Sequence, residues 1–291
     1  MTHAILPPFI LLDPLIQAWL QEDIGRGDRT TQGLFASHRL NGTATWIAKE
    51  AGVIAGLPIA ARVFAVLNPE VTFVSTVAEG QWCDRSTPIA TIDGPFDALL
   101  TGERVALNLA MRLSGIATAT HQYVKAIADL PTQFVDTRKT TPGLRLLEKY
   151  ATQVGGATNH RLGLDDGIMI KDNHIAAAGS IKAAIARIRK SMPYPLSIEV
   201  ETESLDQVQD ALEHGADIIM LDNMAVEQMQ QAVQMIRKAE PRVMIEASGN
   251  ITLSTIRLVA ETGVDYISSS APITRSHWLD LSMRLQPLTE R

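Results

Sequence analysis

The sequence predicts an α/β protein in which a smaller amino-terminal α+β domain precedes a parallel α/β barrel, incomplete at about six strands. Three observations carry that expectation. Beyond Leu130, short apolar runs alternate with amphipathic helical patterns about every 20 to 35 residues, as βα units require. Each of the six runs ends in a charged or hydroxyl residue, which is where a parallel barrel gathers its functional side chains. Before Leu130 the texture differs, with short alternating strands around one helical stretch. An open, doubly wound sheet is the structural alternative, and it too binds ligands at its strand ends.

Taken in order, Asp13-Pro14 can cap and open a helix, with Leu12, Leu15, Ile16, Trp19 and Leu20 on one face at helical spacing and an end near Gly25. Thr43–Ala48 and Val71–Val74 alternate as strands, and Leu57 to Leu67 reads as a helix between them. From Phe96 to Asp129 a long helical pattern carries Leu99, Leu100, Val105, Leu109 and Leu113 as its apolar stripe. This helix is the expected bridge between domains. The boundaries expected are 1–116 for the small domain with the bridge, and 117–291 for the barrel with a tail that packs back on the small domain. The six barrel runs end at Arg138-Lys139, Lys171, Glu201, Asp222, Ser248 and Ser268-Ser269-Ser270.

Composition narrows the classes of function. Hydrophobic residues make up 46% and charged residues 20%, enough apolar side chain for a packed core. The formal net charge of -6 argues against a broad nucleic-acid footprint, so any anion site has to be local. A single cysteine, Cys83, makes no internal disulfide. The stretch Met1-Thr2-His3-Ala4-Ile5-Leu6-Pro7 lacks a basic and then continuously apolar leader, and no run approaches the roughly 20 apolar residues of a membrane span. A cytoplasmic protein without membrane or nucleic-acid partners is the expectation.

The chemistry concentrates in the barrel. Between Arg138 and Lys171 the cations outnumber the acids. Arg145 and Lys149, at i,i+4 on the helix after Pro142, read as a solvated face. Arg138, Lys139 and Lys171 sit at predicted strand ends, and His160-Arg161 follows the pliable Gly155-Gly156, so convergence on a small anion is expected. Arginine's planar fork matches a carboxylate, while lysine acts as a point charge for phosphate or carboxylate. Glu201 and Asp222 end consecutive strands and are candidates to hold Mg2+ or sugar hydroxyls, although each alone could pair with a lysine or cap a helix. Ser248-Gly249-Asn250 precedes a helix start, where free N–H groups attract phosphate, and Ser268-Ser269-Ser270-Ala271 ends the last strand in a similar way.

Several long motifs, in order and in register, carry a resemblance. They are Asp136-Thr137-Arg138-Lys139-Thr140-Thr141-Pro142-Gly143, Gly155-Gly156-Ala157, Asn159-His160-Arg161-Leu162-Gly163-Leu164 and Ile170-Lys171-Asp172-Asn173-His174. Ahead of them stand Glu22-Asp23-Ile24-Gly25-Arg26-Gly27-Asp28, Glu103-Arg104-Val105-Ala106-Leu107-Asn108 and Leu113-Ser114-Gly115-Ile116-Ala117-Thr118. Over nearly its whole length the chain resembles the quinolinate phosphoribosyltransferases. The resemblance implies transfer of phosphoribosyl from phosphoribosyl pyrophosphate to quinolinate with decarboxylation, in the biosynthesis of NAD. It implies that Arg104, Thr137, Arg138, Lys139, His160, Arg161 and Lys171 surround quinolinate, with Lys139, Lys171, Glu201 and Asp222 catalytic. Glu201 and Asp222 would hold the ribose and Mg2+, directly or indirectly, and no organic cofactor is implied. The phosphate would rest on Ser248, Gly249, Asn250, Ser269, Ser270 and Ala271, the last loop departing from the family where many members carry a glycine. Arg104 would reach a neighbour's site, which implies a homodimer or a larger assembly.

Two alternatives remain open at this stage. One is a related barrel transferase acting on another ring carboxylate. The other, from a different class, reads Val71 to Pro95 as a biotinyl or lipoyl carrier module, which lacks the lysine such a module presents at a hairpin tip.

Overall fold

A computed structural model describes residues 4–35 and 40–286. Met1, Thr2 and His3 of the amino-terminal stretch, and the tail beyond Gln286, lie outside the described residues. The described residues form two compact units: one holds those up to Ala119, Leu146–Gly156 and residues 276–286, and the other holds Thr120–Arg145 and Ala157–Arg275.

The first unit opens with helices α1 (Phe9–Ile24) and α2 (Arg29–Phe35). Strands β1 (Asn41–Ala48) and β2 (Gly52–Val53), helix α3 (Leu57–Leu67) and strands β3 (Thr72–Ser75), β4 (Trp82–Cys83) and β5 (Pro88–Pro95) follow, and the 31-residue helix α4 (Phe96–Ala126) begins here. Contrary to the expectation that Asp13-Pro14 opens the first helix, α1 starts five residues earlier, at Phe9. Pro8 precedes it with φ -58 and accepts the amide hydrogens of Leu11 and Leu12, while Leu12, Ile16 and Leu20 are buried. Burial of that stripe outweighs Pro14, which stands inside the helix without an N–H to donate. Helix α2 was not foreseen. Asp28 starts it by accepting the Thr31 N–H at 3.0 Å, which holds its carboxyl below the usual range, hydrogen bonds to Thr31 being the leading cause.

The second unit contains β6 (Gln133–Val135), β7 (Ile168–Ile170), α6 (Asp172–Ala178), α7 (Ile181–Arg189), β8 (Ile198–Thr202), α8 (Leu205–Glu213), β9 (Ile218–Asp222), α9 (Val226–Ala239), β10 (Met244–Ser248), α10 (Ile256–Ala260), β11 (Tyr266–Ser268) and α11 (Ala271–Thr274). Between β6 and β7 runs α5 (Arg145–Val154), and β12 (Leu281–Leu285) comes last; Leu146–Val154 and β12 belong to the first unit. There the antiparallel order is β12-β1-β5-β3, and Trp46, Phe64 and Phe73 form an aromatic core, with Trp46 and Phe73 edge to face at 5.4 Å. Lys149, expected on a solvated face, is 1% exposed, beside Glu148 at 0%. Glu148 is buried because the Arg112 guanidinium reaches its Oε1 at 2.7 Å, an ion pair no helical periodicity announces.

In the second unit the six strands are parallel, in the order β6-β11-β10-β9-β8-β7, with a single bridge from Val135 to Thr158 on the free side of β6. Among the described residues no ladder joins β6 to β7, so the barrel is incomplete, as expected. Strand alternation sets what each face does. Ile198 and Val200, Ile219 and Leu221, and Ile245 and Ala247 join the apolar core with the helices. The intervening residues are Glu199 and Glu201, Met220 and Asp222, and Glu246 and Ser248. Where a closed barrel of this kind fills its interior with branched apolar side chains, this one is polar within.

Candidate active site

A cavity of about 560 Å3 opens at the carboxyl ends of these strands. The loop after β6 brings Thr137, Arg138 and Lys139 to it, and the segment after Thr158 brings His160 and Arg161. Lys171 follows β7, Glu201 and Asp222 stand at the ends of β8 and β9, and Ser248, Gly249 and Asn250 follow along β10 and its loop. An adjoining cavity of about 280 Å3 shares Thr137, Lys139 and Ser248 to Asn250, and adds Ser269, Ser270 and Ala271. Arg104 is the exception among the residues expected at the site. It lies on α4, 58% exposed, with Glu103 3.7 Å away, and lines neither cavity.

The cavity is electrostatically divided. On one side Arg138 and Arg161 are close enough that burial, and then the Arg138 charge, lower the Arg161 pKa. Arg161 Nη1 donates to Gly167 O at 2.8 Å. Arg138 Nη1 is buried without a hydrogen-bond partner, an orphan donor that costs stability until an acceptor arrives. On the other side Lys171 Nζ donates to Glu201 Oε2. Burial and then the neighbouring Glu201 charge raise the Asp222 pKa, against the pull of Asn223 and Lys171. Two carboxylates that feel each other in this way offer hard oxygen ligands for a cation such as Mg2+.

Beneath the strand-end layer lies a second one. His160 Nε2 is 3.2 Å from Glu199 Oε2 and 3.4 Å from Glu246 Oε2, and both carboxylates are buried. Burial opposes a charge on the ring, but the hydrogen bonds and charges of Glu199 and Glu246 prevail and push its pKa up to about 10. Burial likewise raises Glu199, against the hydrogen bond from His160. His160 Nδ1 accepts the Arg161 N–H at 2.7 Å. Accepting at Nδ1 requires that nitrogen to be unprotonated, so this arrangement belongs to the neutral ring with its proton on Nε2, between the two carboxylates, and a second proton, which the two carboxylates favour, would have to break the bond from Arg161. Among the described residues this trio alone groups three metal-capable side chains, their ligand atoms lying within 4.8 Å of one another, and the imidazole proton occupies the place a cation would take.

Comparison with known proteins places this geometry. The model of the quinolinate phosphoribosyl transferase C-terminal domain matches residues 116–284, and that of the N-terminal domain matches residues 28–114. The chain belongs to the quinolinate phosphoribosyltransferase family. It is 62% identical over 280 residues to a probable carboxylating nicotinate-nucleotide pyrophosphorylase of Synechocystis sp., covering 96% of this chain and 94% of the relative. It is 38% identical to the carboxylating nicotinate-nucleotide pyrophosphorylase of Rattus norvegicus, covering 97% and 93%. The crystal structure of NadC from Streptococcus pyogenes superimposes with a TM-score of 0.92 at 44% identity, covering 99% of this chain and all of that one. Quinolinate phosphoribosyltransferase membership sets aside the carrier-module alternative.

For this member of the quinolinate phosphoribosyltransferases, reading the sequence missed Glu199, Glu246, Asn223 and the apolar lining residues Met169 and Met220. A signal for most of them was present. Glu199, Glu246, Met169 and Met220 each stand two residues before a strand-end candidate, and the two-residue period of a strand returns them to the same face.

Proposed function

We propose that the chain transfers phosphoribosyl from phosphoribosyl pyrophosphate to quinolinate with loss of a carboxylate, giving nicotinate mononucleotide, pyrophosphate and CO2 in the biosynthesis of NAD. One observation carries the reading: a cationic wall with an unpartnered, buried guanidinium N–H faces an acidic pair across one cavity. Such a wall suits a planar dicarboxylate, because Arg138 and Arg161 offer forked donors and Lys139 adds a point charge, with Lys171 supplying a further one from beside Glu201. His160 and Thr137 border the same end, and Ser248 to Asn250 with Ser269 to Ala271 receive the phosphate.

The ring nitrogen bonds to the anomeric carbon as the bond from that carbon to pyrophosphate breaks. Positive charge grows on the ribose in between, and the carboxylates of Glu201 and Asp222 stabilise it. The same two residues would hold Mg2+, whose charge offsets that of the leaving pyrophosphate. Loss of CO2 then leaves its electron pair on the ring carbon beside the positively charged nitrogen, which stabilises it until a proton, ultimately from solvent, adds at that carbon, so the cationic wall needs only to hold the second carboxylate in place. Arg104 completes the site of a neighbouring copy in a homodimer or larger assembly, and the reaction runs in the cytoplasm. No helix among the described residues is long and apolar enough to cross a membrane. The test is an assay of the pure, folded protein with quinolinate, the phosphoribosyl donor and Mg2+. Nicotinate mononucleotide is the expected product, and its absence sinks the reading.

A further inference from the structure

Glu199 and Glu246 have no part in the reaction as described, yet both carboxylates are withdrawn from water, at 3% and 4% exposure. Burying such groups costs several kcal/mol unless something compensates. Each finds its hydrogen-bonding partner in His160 Nε2, while Oε1 of each finds none. The two strands they stand on are not neighbours, since β9 lies between β8 and β10, so one imidazole ties together two separated strands. The other face of the ring is equally engaged, Nδ1 accepting the backbone N–H of Arg161 at 2.7 Å. The same segment is fixed from a third strand end: Asp136 accepts the His160 N–H at 2.9 Å and the Asn159 side-chain amide at 2.6 Å.

A continuous path of hydrogen bonds therefore runs from two strand interiors, through one ring, into the backbone of an arginine that lines the cavity. We propose that Glu199 and Glu246 are positioning residues for the dicarboxylate end of the site: they clamp the His160 ring from two strands and, through its Nδ1, set the backbone at Arg161. The inference rests on the reading of this cavity as the quinolinate site. It explains why two acids are kept beneath a wall that has to attract an anion. Their charge is turned toward the imidazole, and their contribution reaches the substrate as the placement of a guanidinium.

A route through His160 makes the effects non-additive. The turnover of quinolinate by the wild-type protein is measured first. Then KM for quinolinate, KM for the phosphoribosyl donor and kcat are compared for Glu246→Ala, Glu199→Ala, His160→Ala and the two double variants with His160→Ala. Each glutamate variant is expected to raise the quinolinate KM by about tenfold or more, with the donor KM within about twofold, and to add less than about twofold once His160 is gone. Glu246→Gln, which keeps an acceptor in place, recovers most of the affinity. Multiplicative effects in the double variants, or losses shared equally between the two substrates, overturn the proposal. Should the alanine variants not fold, Glu246→Gln against Glu246→Asp carries the test. Asp withdraws the acceptor by one methylene and raises the quinolinate KM above that of Gln, and equal values overturn the proposal. Absence of wild-type turnover overturns the proposed reaction and this inference with it, whereas wild-type turnover with additive variants overturns the inference alone.

Discussion

Asn250 donates its side-chain amide to the side-chain oxygen of Asn223 across 3.0 Å, joining the loops that leave β10 and β9. Both residues sit at φ 53, in the left-handed region asparagine tolerates better than most residues. The Asn223 N–H also donates to Ser248 O at 3.0 Å, and Asn223 Nδ2 donates to Asp222 at 2.7 Å. Between the two asparagines stands Gly249, at φ 90, where an added Cβ would lie 2.2 Å from Asn223 Oδ1 and 2.9 Å from its backbone nitrogen.

Gly249→Ala is therefore expected to break this junction. The strain is about 1–3 kcal/mol, and KM for phosphoribosyl pyrophosphate should rise at least about tenfold, with a modest fall in Tm. Steady-state kinetics with the donor varied checks it. An unchanged donor KM in a folded variant means that the loop does not hold the phosphate.

Arg138→Ala should cost about 1.5–3 kcal/mol of quinolinate binding, the worth of a charge-assisted hydrogen bond. Because Arg138 Nη1 has no partner to lose, Tm should hold or rise. Calorimetric titration with quinolinate, paired with a thermal melt, decides it. Unchanged affinity with a collapsed Tm makes Arg138 a structural residue.

The Asp222 carboxyl titrates above its ordinary range because of burial and the adjacent Glu201 charge. As pH falls through that raised value the carboxylate takes up a proton and loses its hold on a cation. The Mg2+ concentration for half-maximal rate should accordingly rise toward acid pH, and chelation should abolish activity until Mg2+ is restored. Rates indifferent to chelation, or a metal requirement flat with pH, contradict the assignment of Glu201 and Asp222 to Mg2+.

Arg104 is half-exposed beside Glu103 and lines neither cavity, which on its own describes an ordinary helix charge. If it serves a neighbouring copy, Arg104→Ala and Lys171→Ala chains, each nearly inactive, should complement one another. A hybrid dimer carries one site with both defects and one with neither, so up to half of the wild-type activity should return. Subunit exchange confirmed by mass, without recovered activity, excludes the shared site.

The barrel strands were legible because their helix-facing positions, such as Ile198 and Val200, are apolar and their ends are not. The helices Leu57–Leu67 and Phe96–Ala126 were legible from their periodicity. What escaped was decided by contacts distant in sequence. Lys149 looks solvated in any local window, and only the fold reveals that its helix is packed in beside Glu148 and Arg112. Glu199 is indistinguishable by type from Glu201, and its companions His160 and Glu246 lie 39 and 47 residues away. Pro14 misled because proline is a strong local signal, overridden here by an apolar stripe that begins before it.

The pairing of Ala48 with Leu281 sets a clock on how this protein is made. Strand β1 emerges early from the ribosome, but the strand that covers one of its edges follows about 230 residues later. At roughly 5 to 20 residues per second, that edge waits on the order of 10 to 50 s. Throughout that interval it presents unpaired backbone groups to any passing strand. The first unit thus receives its last strand only after the second has been synthesised, and the nascent chain carries that open edge in the meantime.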